Sequence, residues 1–175
     1  LGVASLKGSP LRRFVINDVG PTIEPAAIAR IGSYVGQPAR WNTLDEAADA
    51  LRAISQGFGP HTREQWLALT RPQLMADGNG LKPRSDPAIA LPFKAVTPQM
   101  AQAGEALLWQ AWDGLTLPTL LLRGAQSDLL SAETAQAMTQ RGPRARLVQF
   151  DGVGHAPMLV QPEQVAAVRE FLLSP

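Results

Sequence analysis

The 175-residue sequence contains no cysteine, which excludes disulfide bonds and thiolate chemistry. It also contains no apolar run long enough to cross a membrane, since the stretch LTLPTLLLRG falls far short of the roughly 20 residues that a spanning helix needs. No secretory signal is visible. We therefore predict a cytoplasmic protein that does not bind membranes.

An excess of charge of one sign is missing as well. Sixteen Lys and Arg residues are matched by 15 Asp and Glu residues, and neither sign forms a block. This balance argues against nucleic acid as a partner. The two histidines are far apart and HExxH is absent, so we predict no metal. The stretch DGNGLKPRS lacks the strand-to-helix setting of a phosphate-binding loop, and we predict no cofactor.

What the sequence does contain is a hydrophobic content of 45%, ample for a core. Three apolar runs, each ended by turn residues, predict buried strands: RRFVIND (about 13–17), PTLLLRG and ARLVQFDG. Continuous apolar runs suit a parallel sheet that is covered on both faces. Because helical patterns follow the second and third runs, the sequence predicts an α/β fold.

Those two helical patterns carry recognisable start signals. SAETAQAMTQR offers Ser131 as the N-cap residue, and QPEQVAAVREFLL places Pro162 at the first helical position. The spacing of the second pattern predicts one apolar face, made of Val165, Val168, Phe171 and Leu172.

A mostly helical segment separates the first strand from the second. It contains two possible capping boxes, Thr43 with Glu46 and Thr62 with Gln65, and a Gly/Pro-rich stretch typical of an irregular loop or hairpin. We call this segment, residues 21–113, the helical insertion. The predicted organisation is a core strand with a preceding helix end (1–20), the helical insertion as a cap, and a C-terminal core carrying an acid and a histidine (114–175).

One polar residue follows each predicted strand: Asp18, Asp128 and His155. Ligands of open parallel sheets bind beyond the carboxyl ends of the strands, where these side chains would meet. A carboxylate that accepts a hydrogen bond from one imidazole nitrogen leaves the other nitrogen free to act as a general base. The pattern therefore indicates an acid–histidine relay.

From RRFVINDVGP through LLRGAQSDLLS to GVGHAPMLVQPEQV, the chain resembles the C-terminal part of an α/β-hydrolase of the esterase, C–C hydrolase and dehalogenase type. The matching contexts are Gly124 followed by Asp128, and His155 between Gly154 and Pro157. The resemblance implies a hydrolase with a nucleophile–His–Asp triad that acts on an ester or a related small apolar carbonyl substrate. It assigns His155 as the base and Asp128 as the acid.

The nucleophile elbow of that family, G-x-S-x-G or a close variant, is not in the sequence. GSYVG places Ser33 one position too early, inside a predicted helix. We expect the chain to start downstream of its nucleophile, to need that N-terminal segment as a covalent or separate partner, and to be inactive and poorly soluble alone. Its first strand would be an exposed edge that favours association, including a homo-oligomer.

Several alternatives remain open at this stage. Asp18 could replace Asp128 as the acid, as in some haloalkane dehalogenases, although a turn residue before Gly20 and Pro21 is the favoured interpretation. An Asp nucleophile would give haloalkane dehalogenase or epoxide hydrolase chemistry. A non-catalytic module that binds a ligand or a partner is the remaining possibility. Structural roles are favoured over catalytic ones for four further polar residues: Asp151, His61, Ser127 and Ser131. Core packing is favoured for the tryptophans Trp41, Trp66, Trp109 and Trp112.

Overall fold

The computed structural model of the chain describes residues 1–4, 6, 8–95 and 97–174. The strands in this part of the chain are β1 (Phe14–Asn17), β2 (Leu74–Asp77), β3 (Gly80–Pro83), β4 (Thr119–Gly124) and β5 (Arg146–Phe150). The α-helices are α1 (Pro25–Tyr34), α2 (Leu44–Ile54), α3 (Arg63–Thr70), α4 (Leu91–Ala95), α5 (Pro98–Asp113), α6 (Ala132–Gln140) and α7 (Pro162–Leu173).

A parallel sheet forms the base of the fold. Within the described residues it has three strands in the order β1-β4-β5, and Asn17 is in register with Leu122. This confirms the predicted α/β class and all three predicted strands. β1 is an edge strand of this sheet, and the described residues ahead of it lie in turns and bends.

Both faces of β4 are covered, which explains its unbroken apolar sequence. Leu121 points into a cluster with Leu130 and Met138 on the α6 side, while Leu120 and Leu122 pack against Phe171 on the α7 side. All six residues of β4 are buried. Alternating side chains of one strand thus build two hydrophobic cores on opposite faces of the sheet.

Helices α6 and α7 begin where the sequence predicted. The Ser131 side chain accepts a hydrogen bond from the Thr134 backbone, and Pro162 opens α7. The predicted apolar face of α7 was wrong in part, because Val165 and Leu172 are 46% and 47% exposed. The buried and partly buried side chains recur at i, i+3, i+4 and i+7 along a neighbouring stripe: Gln164 and Phe171 are buried, and Ala167 and Val168 are partly buried.

The helical insertion contains helices α1 to α5 and one hairpin. The Gly/Pro-rich stretch forms this hairpin from β2 and β3, and Trp41 pairs with Leu81 at its edge. Thr62 and Gln65 form the complete capping box that the sequence predicted. The other box is half formed. The Thr43 side chain accepts from the Glu46 backbone N–H, but the Glu46 carboxylate accepts from the backbone N–H of Asn42 and not from that of Thr43.

Among the described residues, no helix is both long and apolar enough to span a bilayer.

Candidate active site

Three loops meet at the carboxyl edge of the sheet. Asp18 follows β1 directly, Gly124 ends β4, and the loop after β5 carries His155. Because β1 and β5 flank β4, the two outer loops approach each other across the end of the central strand. This edge is where open parallel sheets place their ligands.

Asp18 is a fully buried carboxylate with compensating donors. One oxygen accepts from the Gly124 backbone N–H at 3.0 Å. The other accepts from the Ser127 hydroxyl at 2.7 Å and lies 2.9 Å from His155 Nδ1. The backbone of Asp18 is in the left-handed region, with φ of 55°, which Asp tolerates better than most residues. These donors offset the cost of burying the charge.

His155 lines a cavity, and the second nitrogen of its ring is not used in the pairing with Asp18. When Asp18 accepts from Nδ1–H, Nε2 carries the lone pair of a neutral imidazole. Within the described residues, Nε2 makes no hydrogen bond, and the His155 side chain is 22% exposed. A cavity of about 570 Å³ lies beside it, lined by residues of the core and of the helical insertion. The arrangement can therefore take a proton from a group placed in that cavity.

Asp128 lies on the wall of the same cavity but makes no hydrogen bond with His155. Its carboxylate binds the Arg30 guanidinium of α1 through two hydrogen bonds of 2.8 and 2.9 Å. The hydrogen bond to Asp128 raises the pKa of Arg30 above its ordinary value. Both side chains are substantially exposed, at 40% and 50%. The structure thus brings His155 together with Asp18 and places Asp128 in an ion pair with the helical insertion.

Other residues singled out in the sequence have structural contacts. Ser127 supports Asp18, Ser131 caps α6, and the hydroxyl of Ser33 donates to the Arg30 carbonyl. Asp151 is exposed. The role of Ser127 was missed because its partner is 109 residues away in the chain, and no local pattern indicates such a contact.

The four tryptophans occupy different environments. Trp112 is fully buried beside the sheet, whereas Trp66 packs against Phe58 and His61 in the helical insertion. Trp109 donates to the Thr22 hydroxyl, and Arg141 lies over its ring. Trp41 lines a second cavity inside the helical insertion.

The helical insertion touches the histidine loop through backbone atoms. The Gly154 N–H donates to the Gly57 carbonyl at 2.6 Å. A Cβ at Gly57 would lie 3.2 Å from the backbone nitrogen and oxygen of His155, and a Cβ at Gly154 would lie 3.1 Å from Gly57 Cα. Glycine at both positions allows the close approach that forms one wall of the site.

Gly124 allows a still closer approach, and we expect Gly124→Ala to destabilise the site. A Cβ there would overlap the carbonyl oxygens of Gly154 and Val153, which are backbone atoms that cannot rotate away. Overpacking of this kind costs roughly 1–3 kcal/mol in free energy of unfolding. Urea denaturation of the variant should show a lower midpoint, with Gly2→Ala as control because nothing lies within 4 Å of a Cβ at that position. An unchanged midpoint would contradict the close packing.

His61 connects the helical insertion to α7 and should make stability depend on pH. Burial lowers the pKa of His61, and the amide nitrogen of Gln161 lies 3.2 Å from its Nδ1. Because the unfolded chain binds a proton first as pH falls below about 6.5, the destabilisation caused by this group grows between that pH and its lower folded pKa, and it keeps its full value at still lower pH. Above that window both states are neutral and the group contributes nothing.

We therefore expect the melting temperature of His61→Gln to fall less than that of the unaltered chain on acidification from pH 7 to pH 5. Thermal melts across that range, followed by circular dichroism, would measure the difference. Parallel curves for the two proteins would show that His61 is not responsible. Carboxylates that titrate over the same range affect both proteins alike and cancel in the comparison.

Comparison with known proteins identifies the family of the chain. The pattern that defines the Alpha/beta hydrolase family matches residues 3–168, and the chain belongs to that family. It is 43% identical to the 3-hydroxybutyrate-oligomer hydrolase of Cupriavidus necator, over 98% of this chain and 60% of that protein. A shorter match, 40% identical over 63 residues, is to a pimeloyl-[acyl-carrier protein] methyl ester esterase of Aromatoleum aromaticum, covering 35% of this chain and 25% of that protein.

Solved structures named as hydrolases resemble the chain too. An alpha/beta hydrolase from Novosphingobium aromaticivorans superposes with a TM-score of 0.82 at 36% identity, over 97% of this chain and 59% of that one. E-2-(Acetamidomethylene)succinate hydrolase shares the fold, with a TM-score of 0.77 at 21% identity, over 99% of this chain and 62% of that one. The chain therefore spans about 60% of the length of the relatives that it matches along its whole length.

Proposed function

We propose that this chain is part of an ester hydrolase. It carries the general base, the acid of the triad and the cap that covers the substrate. The observation that carries the proposal is the pairing of His155 Nδ1 with buried Asp18, which leaves Nε2 beside a cavity. The names of two relatives, an oligomer hydrolase and a methyl ester esterase, support an ester as the substrate. Hydrolysis of an acyl ester, such as a hydroxyacyl ester or its oligomer, is the specific activity that we propose.

In the proposed reaction, His155 Nε2 takes a proton from a nucleophilic hydroxyl as its oxygen attacks the ester carbonyl. The protonated ring then gives that proton to the departing alcohol, and an acyl-enzyme ester remains. A water molecule next loses its proton to Nε2 and attacks this second ester. The acid product leaves, and the hydroxyl regains its proton from the ring.

Asp18 is the acid in this proposal, in place of Asp128. A carboxylate at Nδ1 holds the ring in the tautomer that exposes the Nε2 lone pair, and it stabilises the imidazolium that forms in each half-reaction. Ser127 and the Gly124 N–H hold the carboxylate itself in position. Asp128, paired with Arg30, is proposed instead to connect α1 to the rim of the cavity.

The nucleophile is proposed to come from a segment outside these 175 residues. Among the described residues, Ser127 is the hydroxyl that hydrogen-bonds to the Asp18–His155 pair, and it donates to Asp18; no hydroxyl hydrogen-bonds to Nε2. Losing a triad nucleophile costs on the order of a millionfold in turnover. The 175 residues alone are therefore expected to be inactive.

The test is hydrolysis by the full-length gene product of p-nitrophenyl esters and of 3-hydroxybutyrate dimer, followed by absorbance and by pH-stat titration. The 175-residue chain is assayed in parallel. Ester turnover by the full-length product alone supports the proposal. Turnover of a chloroalkane or an epoxide but of no ester would replace it with an Asp-nucleophile enzyme, and ligand binding without any turnover would replace it with a binding module.

A further inference from the structure

A second cavity, of about 700 Å³, lies inside the helical insertion itself. All of its lining residues fall between Tyr34 and Ile89, so none belongs to the parallel sheet β1-β4-β5 or to the loops that follow its strands. Helix α2 forms one wall with Ala47, Ala50 and Leu51, and the hairpin forms another. We call this space the insertion cavity.

The insertion cavity borders the cavity at His155. Four residues line both spaces: Tyr34 at the end of α1, and Ile54, Ser55 and Phe58 around the end of α2. Gly57, beside Phe58, contacts the backbone of His155. The two cavities therefore adjoin at these four side chains, and a molecule that occupied both would pass between them.

The lining favours an aliphatic ligand. Apart from the shared residues, most of the wall is made of alanine, leucine, proline, valine and Trp41 side chains. Its polar groups are partly occupied within the protein: Arg84 donates to the Leu74 carbonyl, and the Thr70 hydroxyl donates to the Trp66 carbonyl. Because most of this wall is apolar, a hydrocarbon chain gains free energy from burial there.

The size of the space points to an extended chain. Ligand cavities of about 300–1,000 Å³ enclose most of a molecule of drug size. The cavity at His155 alone, at about 570 Å³, already accommodates the reacting ester of a short acyl group. A further 700 Å³ provides room for a substrate that continues several carbon atoms beyond its carbonyl.

We propose that the insertion cavity is a subsite for the aliphatic part of the substrate, an ester whose acyl chain extends to about eight carbon atoms. The assignment rests on the proposed ester hydrolysis for the position of the carbonyl at His155. It adds that the helical insertion selects the substrate by chain length. Residues on the wall of the insertion cavity then determine specificity without touching the reacting atoms.

The first experiment compares p-nitrophenyl octanoate with p-nitrophenyl acetate in the full-length gene product. Ala50→Phe narrows the insertion cavity, because Ala50 lines that cavity and not the one at His155. Each buried methylene is worth about a fourfold change in binding, so the ratio of kcat/KM for octanoate over acetate should fall roughly 10- to 100-fold. The matched control is Ala68→Phe, at an exposed position on α3, which should leave the ratio unchanged.

Ala39→Phe, on another wall of the insertion cavity, provides a second test if Ala50→Phe does not fold. A third test is photolabelling of the unaltered protein, which does not require turnover. An octanoate ester with a diazirine at its far end should, on irradiation, label peptides from 34–58 and 70–89. Competition by unlabelled methyl octanoate should remove the label.

The outcomes separate the two proposals. Labelling of the insertion cavity without turnover of any ester would overturn the proposed function and keep the subsite. Turnover with an unchanged chain-length ratio in both variants, or with label confined to the peptide around His155, would overturn the subsite and keep the function.

Discussion

Replacing His155 with alanine is expected to lower kcat for ester hydrolysis by the full-length gene product by about a millionfold. The reason is that one nitrogen, Nε2, carries the proton in both half-reactions, and the described part of the chain holds no second base in contact with Asp18. Initial rates with p-nitrophenyl acetate, corrected for the reaction in buffer, would measure the loss.

The sequence offers a matched control for this variant. His61 is the other histidine, and it lies in the helical insertion against Trp66 and Gln161, lining neither of the two cavities discussed above. His61→Ala should keep kcat within about tenfold, because it alters packing and not proton transfer. A His155→Ala protein that kept even one per cent of the activity would rule out His155 as the general base.

Replacing Asp18 with asparagine is expected to lower kcat by about 10⁴-fold, as the corresponding change does in a serine protease triad. The amide donates where the carboxylate accepted, so the ring would adopt the opposite tautomer, with Nε2 protonated and unable to act as a base. Asp128→Asn should cost less than about tenfold, because it removes only a largely exposed ion pair with Arg30.

A loss of stability alone could also reduce the activity of Asp18→Asn, so a second measurement is needed. Two-bond ¹H–¹⁵N NMR correlations of the imidazole show which ring nitrogen carries the proton. We expect the proton of His155 on Nδ1 in the unaltered protein and in Asp128→Asn, and on Nε2 in Asp18→Asn. If Asp128→Asn instead showed the larger loss and the changed tautomer, Asp128 would be the acid that the resemblance implied.

The contrast between Asp18 and Asp128 shows that a sequence pattern is not sufficient to identify which carboxylate pairs with His155. Both residues follow a strand in a turn-rich context, and the spacing of Gly124 and Asp128 matches the family. The pairing seen in the structure depends on Arg30, which is 98 positions from Asp128 and holds its carboxylate. It also depends on the backbone of Asp18, whose positive φ is part of the turn that brings its side chain to the Gly124 N–H.

Several local features of this protein could be predicted from its sequence. Apolar runs ended by turn residues predicted β1, β4 and β5, and the caps at Ser131 and Thr62 predicted two helix starts, because these signals act over a few neighbouring residues. The sequence also placed His155 at a strand end. The tertiary structure alone decided which carboxylate contacts that histidine and how the insertion builds its cavities. Those features depend on strand order and on contacts between residues about 100 positions apart, and local propensities carry no information about such contacts.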